Sequence, residues 1–592
     1  MNLDLTIRAE IQKSISVLFN HHLDNPQLQP TNKEFEGSHT LVCFPLVKIS
    51  RKGPEETARL IGDNMVANSG IVSRYNVVKG FLNLVIVDTV WLEVFRSIYA
   101  DKKFGERPSN GKEIMVEYSS PNTNKPLHLG HLRNNFLGWS VAQIYKSVGY
   151  KVHKVQIIND RGIHICKSMA AWKLFGNGET PQSSGLKGDK LVGKYYVDFD
   201  KVFKAQISEL EQKGSSKETA EKEAPIMKLA VEMLQKWEQK DPETLSIWKM
   251  MNGWVYEGFS VTYQRMGVDF EKLYYESETY LLGKDEVLRG LDKGIFFKKD
   301  DGSVWVDLTA DGLDQKVLLR SDGTSVYMTQ DFGTAILRFR DFPKIEKQVY
   351  TVGNEQEYHF KVLFLILATL GYSWAKECYH LSYGMVDLPT GKMKSREGTV
   401  VDADDLMQEM VEEAARQTKE LGKIDEMTAG ELENLSEMIG MGALKFFLLK
   451  VDPKKRMLFD PTDSIQLQGH TGPFIQYTYA RIRSIIRKAE TLNIQPAAQG
   501  ITSMEQAERE VIFIIHHYMN KLEEAAREYS PAVVANYAFE LAKGYNQFYQ
   551  SIPIFNESDP AKLKFRVALS QVVADVLKKS MGLLGIRMPE RM

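Results

Sequence analysis

Hydrophobic positions follow a helical period at the start of the chain and then form two β-rich runs. Apolar residues in the first 18 positions recur at the spacing of one helix face, which predicts a helix. Residues 40–47 and 77–87 are apolar runs rich in β-formers and are predicted to be strands. Glycine, proline and charged residues over 101–112 are typical of a linker. The pattern therefore predicts an α+β domain over residues 1–110.

Beyond residue 112 the pattern becomes that of a parallel α/β sheet. Residues 113–118 are predicted to form a strand, and a Pro/Asn loop and a helical period of apolar residues follow, before a second strand at 152–158. This strand–helix–strand order builds doubly wound sheets, in which ligands bind at the carboxyl ends of the strands. We predict a Rossmann-like α/β domain over residues 111–463, with a polar helical insertion near 176–250.

The last part of the chain, residues 464–592, has the pattern of an all-helical domain with few strand signals. Within residues 474–492, isoleucine and tyrosine positions share one helix face while cationic side chains lie along its edges. These cations are either the long side chains of a core helix that extend to water, or phosphate-binding residues.

Composition narrows the class of protein. The 592 residues are 43% hydrophobic and 26% charged with a net charge of −2, which excludes a polycation and a disordered chain but not a local basic face. Three cysteines lie far apart, so we expect neither a disulfide framework nor a zinc site. Early acidic residues and the lack of a long apolar run predict a cytoplasmic protein without membrane contact.

Two histidines flank a glycine where the first strand of the α/β domain gives way to its helix. Free N–H groups and the positive dipole end of a helix N-terminus suit a phosphate, and Gly130 lets a nucleotide approach the backbone closely. A metal pair or two surface histidines are the alternatives, but no further ligand is spaced nearby. The context favours nucleotide binding by His128, Leu129, Gly130 and His131.

A second candidate motif is a cationic segment bracketed by glycines, residues 391–399. A loop of this kind can close over a triphosphate and stabilise charge on the departing pyrophosphate. On its own the motif does not identify a nucleotide site, since clusters of lysine and arginine usually lie on a solvated surface. Its candidate residues are Lys392 as a catalytic group and Met393, Lys394 and Ser395 for ATP binding.

In this order the two motifs resemble the HIGH and KMSKS signatures of class I aminoacyl-tRNA synthetases. Further segments are similar to the arginyl-tRNA synthetase family, and the similarity covers nearly the whole chain. These segments are residues 117–122, 125–133, 321–331, 352–356, 472–477 and 584–592.

The resemblance implies a ligase that activates L-arginine with ATP, accompanied by Mg²⁺, and transfers the arginyl group to the 3′ end of its tRNA. A monomer without zinc is expected. The alternatives are a non-catalytic tRNA-binding paralogue and a small nucleotidyltransferase. The presence of His128, His131 and Lys392 argues against the first, and the length of the chain argues against the second.

The resemblance also implies roles for individual residues. Ser395 stands where many class I enzymes have a lysine, and Lys125 is implied to supply the missing charge, with Lys394 as its rival. The catalytic set is then His128, His131, Lys392 and Lys125.

A guanidinium is matched best by carboxylates. The resemblance assigns this contact to Asp331 and Glu276, with Tyr327 alongside and Glu117 in support. Tyr327 and Asp331 are four residues apart, which places them on one side of a predicted helical turn. Contact with the α-amino and carboxylate groups of the substrate is assigned to Asn122 and Gln356. For each of these residues a surface or capping role is the alternative.

By the same resemblance, residues 464–592 form the anticodon-binding domain and residues 1–110 the domain that contacts the tRNA elbow. The candidate tRNA-binding residues are Tyr477, Arg481, Arg483 and Arg487.

Overall fold

The computed structural model describes residues 3–387, 389, 401–420 and 427–592. The cationic motif at 391–399 lies outside these ranges, and with it Lys392, Met393, Lys394 and Ser395.

An antiparallel sheet with helices packed on it forms the N-terminal part of the molecule, in the strand order β1-β2-β4-β3. Its strands are β1 (Leu28–Pro30), β2 (His39–Val42), β3 (Val72–Val78) and β4 (Phe81–Ile86). Its helices are α1 (Leu3–Phe19), α2 (Val47–Ser50), α3 (Pro54–Asn68) and α4 (Asp88–Ala100). The predicted first helix is confirmed, since α1 buries every apolar position from Leu3 to Ile15 that falls on one face.

The two predicted β runs differ from the structure in their bounds. Lys79 and Gly80 have φ angles of 48° and 80°, the conformation of a tight hairpin turn, so residues 77–87 contain parts of two strands. The run at 40–47 ends as a strand at Val42, because Pro45 lies in a short 3₁₀ helix that leads into α2.

The central region carries ten strands and fourteen helices among the residues that the structure describes. The strands are β5 (Glu113–Glu117), β6 (Lys151–Ile158), β7 (Lys272–Tyr275), β8 (Phe296–Lys298), β9 (Val304–Val306), β10 (Lys316–Leu319), β11 (Ile345–Gly353), β12 (Cys378–Tyr383), β13 (Val386–Asp387) and β14 (Met457–Leu458). The helices are α5 (Leu129–Ser147), α6 (Ile163–Phe175), α7 (Pro181–Ser184), α8 (Gly188–Gln212), α9 (Lys217–Glu223), α10 (Pro225–Glu238), α11 (Pro242–Met266), α12 (Glu276–Thr279), α13 (Lys284–Asp292), α14 (Tyr327–Asp341), α15 (Glu357–Thr369), α16 (Ala403–Glu420), α17 (Ala429–Leu449) and α18 (Pro461–Ser464).

Five of these strands form one parallel sheet in the order β12-β11-β5-β6-β7. The chain starts in the middle with β5, moves outward to β6 and β7, and returns to the other side with β11 and β12. The strand order therefore reverses between β5 and β11, which is where doubly wound sheets open a ligand cleft. The predicted doubly wound α/β fold is confirmed.

Two insertions interrupt this sheet. Helices α7 to α11 lie between β6 and β7, so the predicted helical insertion extends to Met266. An antiparallel sheet of order β10-β9-β8 lies between β7 and β11.

From residue 465 onward every element is helical. The helices are α19 (Gly472–Thr491), α20 (Gln506–His516), α21 (Tyr518–Glu528), α22 (Pro531–Ser551) and α23 (Pro560–Leu583). The predicted helical C-terminal domain is confirmed, and α19 buries the isoleucines and Tyr479 of its predicted apolar face.

Candidate active site

The start of α5 is fastened across the point where the strand order reverses. Asn134 accepts a hydrogen bond from the backbone N–H of Ser119 at 2.6 Å, just after β5. Its side-chain amide donates to the carbonyl of Thr351 in β11, also at 2.6 Å. One asparagine on α5 therefore holds both strands that border the cleft.

The two motif histidines form a reciprocal cap at the N-terminus of α5. The backbone N–H of Gly130 donates to Nδ1 of His128 at 3.2 Å, and the N–H of His128 donates to Nδ1 of His131 at 3.1 Å. Because both Nδ1 atoms accept, the proton of each neutral ring lies on Nε2. Each ring can then donate a hydrogen bond to a phosphate oxygen.

Both imidazoles are held neutral. Burial lowers the pKa of His128 to about 3, and the charge of Lys125 lowers it further. Burial also lowers the pKa of His131 well below its ordinary value, helped by His128 and Lys125. Both imidazoles are therefore neutral near pH 7 and can donate through Nε2–H, and Lys125 supplies a positive charge close to both.

The chain that leaves the second motif lies against the first. The N–H of Leu129 donates to the carbonyl of Val401 at 3.2 Å, and the N–H of Ala403 donates to the carbonyl of Leu127 at 2.9 Å. Val401, which comes two residues after the cationic motif in the sequence, is thus joined by a backbone hydrogen bond to the segment that carries His128 and His131.

Two carboxylates predicted to bind arginine approach each other from separate elements. Glu276 begins α12, directly after β7, and Asp331 lies on α14. Burial raises the pKa of Glu276 to about 7; the charges of Asp160 and Asp331 raise it too, while Arg161 opposes them. Glu276 is half-buried and the side chain of Asp331 is 42% exposed, so a guanidinium could reach both carboxylates and would relieve the repulsion.

Asp331 has a neighbour that the sequence did not reveal. Its Oδ2 lies 2.6 Å from Nε2 of His359 on α15. Tyr327 starts α14 one turn before Asp331, as the four-residue spacing predicts, and its side chain is 74% exposed.

The other three predicted pocket residues occupy different places. Glu117 is buried and forms an ion pair with Arg338 of α14, so its support is indirect and holds the helix that carries Asp331. Asn122 and Gln356 are exposed and follow β5 and β11, the two strands at the reversal of strand order.

Asp160 and Arg133 also hold the site, and sequence reasoning missed both. Asp160 lies two residues after the end of β6 and accepts hydrogen bonds from Ser277, the residue after Glu276. Arg133 is buried in α5 and donates to the carbonyls of Gly384, Pro453 and Lys455 at 2.6, 3.1 and 2.9 Å. The available signal for Asp160 was its position, since polar residues after parallel strands line the cleft.

The four predicted tRNA-binding residues separate into two pairs. Tyr477 and Arg481 line a cavity of about 460 Å³ between α16, α17, α19 and α22, together with Met592. Arg483 and Arg487 instead bind Glu590, whose side-chain Oε2 is 2.5 Å from Arg483 and whose carbonyl accepts from Arg487 at 3.0 Å.

Possible metal ligands cluster outside the cleft. Among the residues that the structure describes, Asp4, His39 and His517 bring one ligand atom each within 4.8 Å of one another, where α1 and β2 meet the helical domain. The three cysteines are buried free thiols at separate sites. None of the helices that the structure describes has an apolar stretch long enough to cross a membrane.

Two family models match the chain. The model of the tRNA synthetases class I (R), catalytic domain, matches residues 93–460, and the DALR anticodon binding domain matches residues 475–592. An arginine–tRNA ligase of Amoebophilus asiaticus is 56% identical over 599 residues, which covers 100% of both chains. The corresponding ligase of Bacteroides thetaiotaomicron is 54% identical over 598 residues, with the same coverage. The chain belongs to the class I arginyl-tRNA synthetase family.

Solved structures of the arginyl-tRNA synthetase family share the fold. The Thermus thermophilus enzyme aligns with a TM-score of 0.75 at 22% identity, covering 99% of this chain and 100% of its own. The Plasmodium falciparum enzyme gives a TM-score of 0.75 at 18% identity, covering 100% and 99%. The family, the fold class and the arginine–tRNA ligase activity that the sequence predicts are confirmed. No finding favours the non-catalytic paralogue.

Proposed function

We propose that the cleft beside β5 and β11 binds ATP at the N-terminus of α5 and arginine at Glu276 and Asp331. The arginine carboxylate attacks the α-phosphate, the bond to the β-phosphate breaks, and pyrophosphate leaves. The 2′-hydroxyl of the terminal adenosine of tRNA then attacks the acyl carbon, and AMP leaves. The single observation that carries this proposal is the placement of phosphate donors and an acidic pair along one edge of the sheet.

The ATP side needs donors that remain in place as charge moves onto the leaving group. His128 and His131 offer Nε2–H groups whose tautomers are set by the cap of α5, and Lys125 offers a point charge. Magnesium arrives with ATP, and Lys392, Met393, Lys394 and Ser395 are proposed to approach from the second motif.

The arginine side needs negative charge and a matching shape. Glu276 and Asp331 are proposed to contact the guanidinium and Tyr327 to lie beside it, while Asn122 and Gln356 contact the α-amino and carboxylate groups. Glu117 supports α14 through Arg338.

The tRNA side is proposed to use the C-terminal cavity. An unpaired base stacks on aromatic or guanidinium planes, and the cavity presents Tyr477 and Arg481 together, with the guanidinium 4.9 Å from the ring centre. We propose domain boundaries at 110/111 and 463/464, with the N-terminal domain at the tRNA elbow. A monomeric, cytoplasmic enzyme without zinc stays a prediction.

The arginine pocket is tested with Asp331→Asn, which keeps the shape of the side chain and removes its charge. Removing one partner of a desolvated charge pair costs roughly 2–5 kcal/mol, so the arginine KM should rise by more than tenfold while the ATP KM changes little. The measurement is arginine-dependent pyrophosphate exchange with tRNA present. An unchanged arginine KM would remove Asp331 from the pocket.

A further inference from the structure

Asp160 is a buried carboxylate that the roles above leave unused. It lies two residues after the end of β6, and its residue is 1% exposed. Its Oδ1 accepts from the backbone N–H of Ser277 at 2.8 Å, and its Oδ2 accepts from the hydroxyls of Ser277 at 2.7 Å and Tyr256 at 2.9 Å. Three donors therefore hold this carboxylate in one orientation.

The bonds to Ser277 act on the helix that begins with Glu276. Helix α12 has four residues, and Tyr275, the residue before it, offers no side-chain cap. A helix N-terminus leaves backbone N–H groups without partners, and a cap normally satisfies the second or third of them. Asp160 supplies this acceptor from the segment that follows the neighbouring strand β6, and the N–H that it accepts belongs to the residue next to Glu276.

The other contacts of Asp160 lead to the helical insertion. Its backbone carbonyl accepts from the indole N–H of Trp248 at 2.7 Å and from the side-chain amide of Asn252 at 3.2 Å. Both residues lie on α11, as does Tyr256. Asp160 thus ties the first turn of α12 to a 25-residue helix.

We propose that Asp160 is a positioning residue for the substrate arginine, which holds the first turn of α12 so that the carboxylate of Glu276 meets the guanidinium. The proposal rests on the arginine-binding role of Glu276 proposed above. Fork-shaped recognition of a guanidinium depends on geometry, and a displacement of about 1 Å at a supporting residue can cost on the order of 10²-fold in rate.

Asp160 acts on Glu276 in two ways that substitutions can separate. Asp160→Ala removes both the hydrogen bonds and the charge. Asp160→Asn keeps the hydrogen bonds, because its carbonyl can accept from the N–H of Ser277 while its amide donates to the two hydroxyl oxygens. It removes only the negative charge that helps to raise the pKa of Glu276.

The test measures arginine and ATP KM by pyrophosphate exchange with tRNA present. We expect Asp160→Ala to raise the arginine KM about tenfold or more and the ATP KM by less than about twofold. We expect Asp160→Asn to stay within about threefold of the original arginine KM near pH 8, while the acid limb of kcat/KM for arginine moves to lower pH. A purely structural role would not move that limb.

Asp341→Ala is the matched control. Asp341, the last residue of α14, bonds to side chains of β7 and not to α12: its Oδ2 is 2.5 Å from the amine of Lys272 and 3.0 Å from the hydroxyl of Tyr274. We expect this variant to lose stability, measured by thermal unfolding, and to keep its arginine KM.

The outcomes separate the proposal from the function on which it rests. If Glu276→Gln raises the arginine KM and Asp160→Ala does not, or if Asp160→Ala raises both KM values equally, the positioning role is wrong. If Glu276→Gln itself has no effect, the role of Glu276 is wrong. If Asp160→Ala does not fold, two other variants decide. The positioning role is wrong if Ser277→Ala leaves the arginine KM unchanged and Asp160→Asn leaves the acid limb where it was.

Discussion

At the residue scale, Lys125 is the proposed source of the positive charge that a lysine at position 395 would have supplied. Burial is the main cause that lowers the pKa of both motif histidines, and the charge of Lys125 lowers both pKa values further. Lys125 therefore lies near the atoms that would donate to a phosphate. We expect Lys125→Ala to slow arginine-dependent pyrophosphate exchange with tRNA present by on the order of 10²-fold. Lys394→Ala should slow it much less. A larger loss in the Lys394 variant would assign the phosphate to the second motif.

Glu276 predicts a pH dependence. A carboxyl whose pKa is about 7 is mostly protonated below that pH. It then carries no negative charge to attract a guanidinium. We expect kcat/KM for arginine, which reports the arginine-free enzyme, to fall as pH decreases through about 7. Glu276→Gln should lower kcat/KM and remove this limb. A limb of unchanged position in that variant would assign the titration to another group.

Motif residues and supporting residues differ in how far sequence predicts them. Tyr327 and Asp331 were recognised because a helical repeat and a family segment coincide, and α14 does begin at Tyr327. Asp160 and His359 act only once β6 lies beside β7 and α15 lies beside α14. No local pattern encodes those pairings.

At the element scale, His128 caps the N-terminus of α5 through Nδ1 and offers an Nε2–H donor from the same side chain. Asparagine is among the best N-caps but lacks an Nε2–H donor, whereas alanine offers neither. We expect His128→Ala to lose about 1 kcal/mol of unfolding free energy and His128→Asn to lose much less. Exchange activity should fall on the order of 10²-fold in both. Urea unfolding and exchange assays check this, and an active His128→Asn enzyme would show that the cap alone matters.

The unit β5–α5–β6 was predicted nearly to its bounds because each element has a strong local period. The β8–β9–β10 sheet and the continuation of the helical insertion through α11 were not. Those strands have three or four residues each, too short to show an alternating pattern. Their arrangement depends on contacts between distant segments.

At the scale of the whole molecule, the C-terminal segment contacts both α5 and the cavity of the helical domain. Ser140 of α5 donates to the carbonyl of Leu583 at 2.8 Å, and Lys445 of α17 donates to that of Gly585 at 2.6 Å. The chain continues past Glu590, which is bound by Arg483, to Met592 in the cavity wall. The same C-terminal segment therefore packs against α5 and forms part of the cavity wall.

This arrangement indicates which of the four candidate residues we expect to contribute most to tRNA binding. Arg483 and Arg487 hold the C-terminal segment, whereas Tyr477 and Arg481 face the cavity. Stacking of a base on such a side chain is worth about 1–3 kcal/mol, so Tyr477→Ala and Arg481→Ala should each raise the tRNA KM by about fivefold to a hundredfold. Arginine KM at saturating tRNA should stay unchanged.

Arg487→Ala provides the comparison on the same helix, because it removes one cation of α19 that does not itself line the cavity. We expect it to raise the tRNA KM by less than about threefold. An effect of that size corresponds to the loss of a single exposed phosphate contact or to a loosened C-terminal segment. Aminoacylation at varied tRNA concentration measures all three variants. If Arg487→Ala is the most damaging of them, tRNA binds along the charged edge of α19, and the cavity has another use.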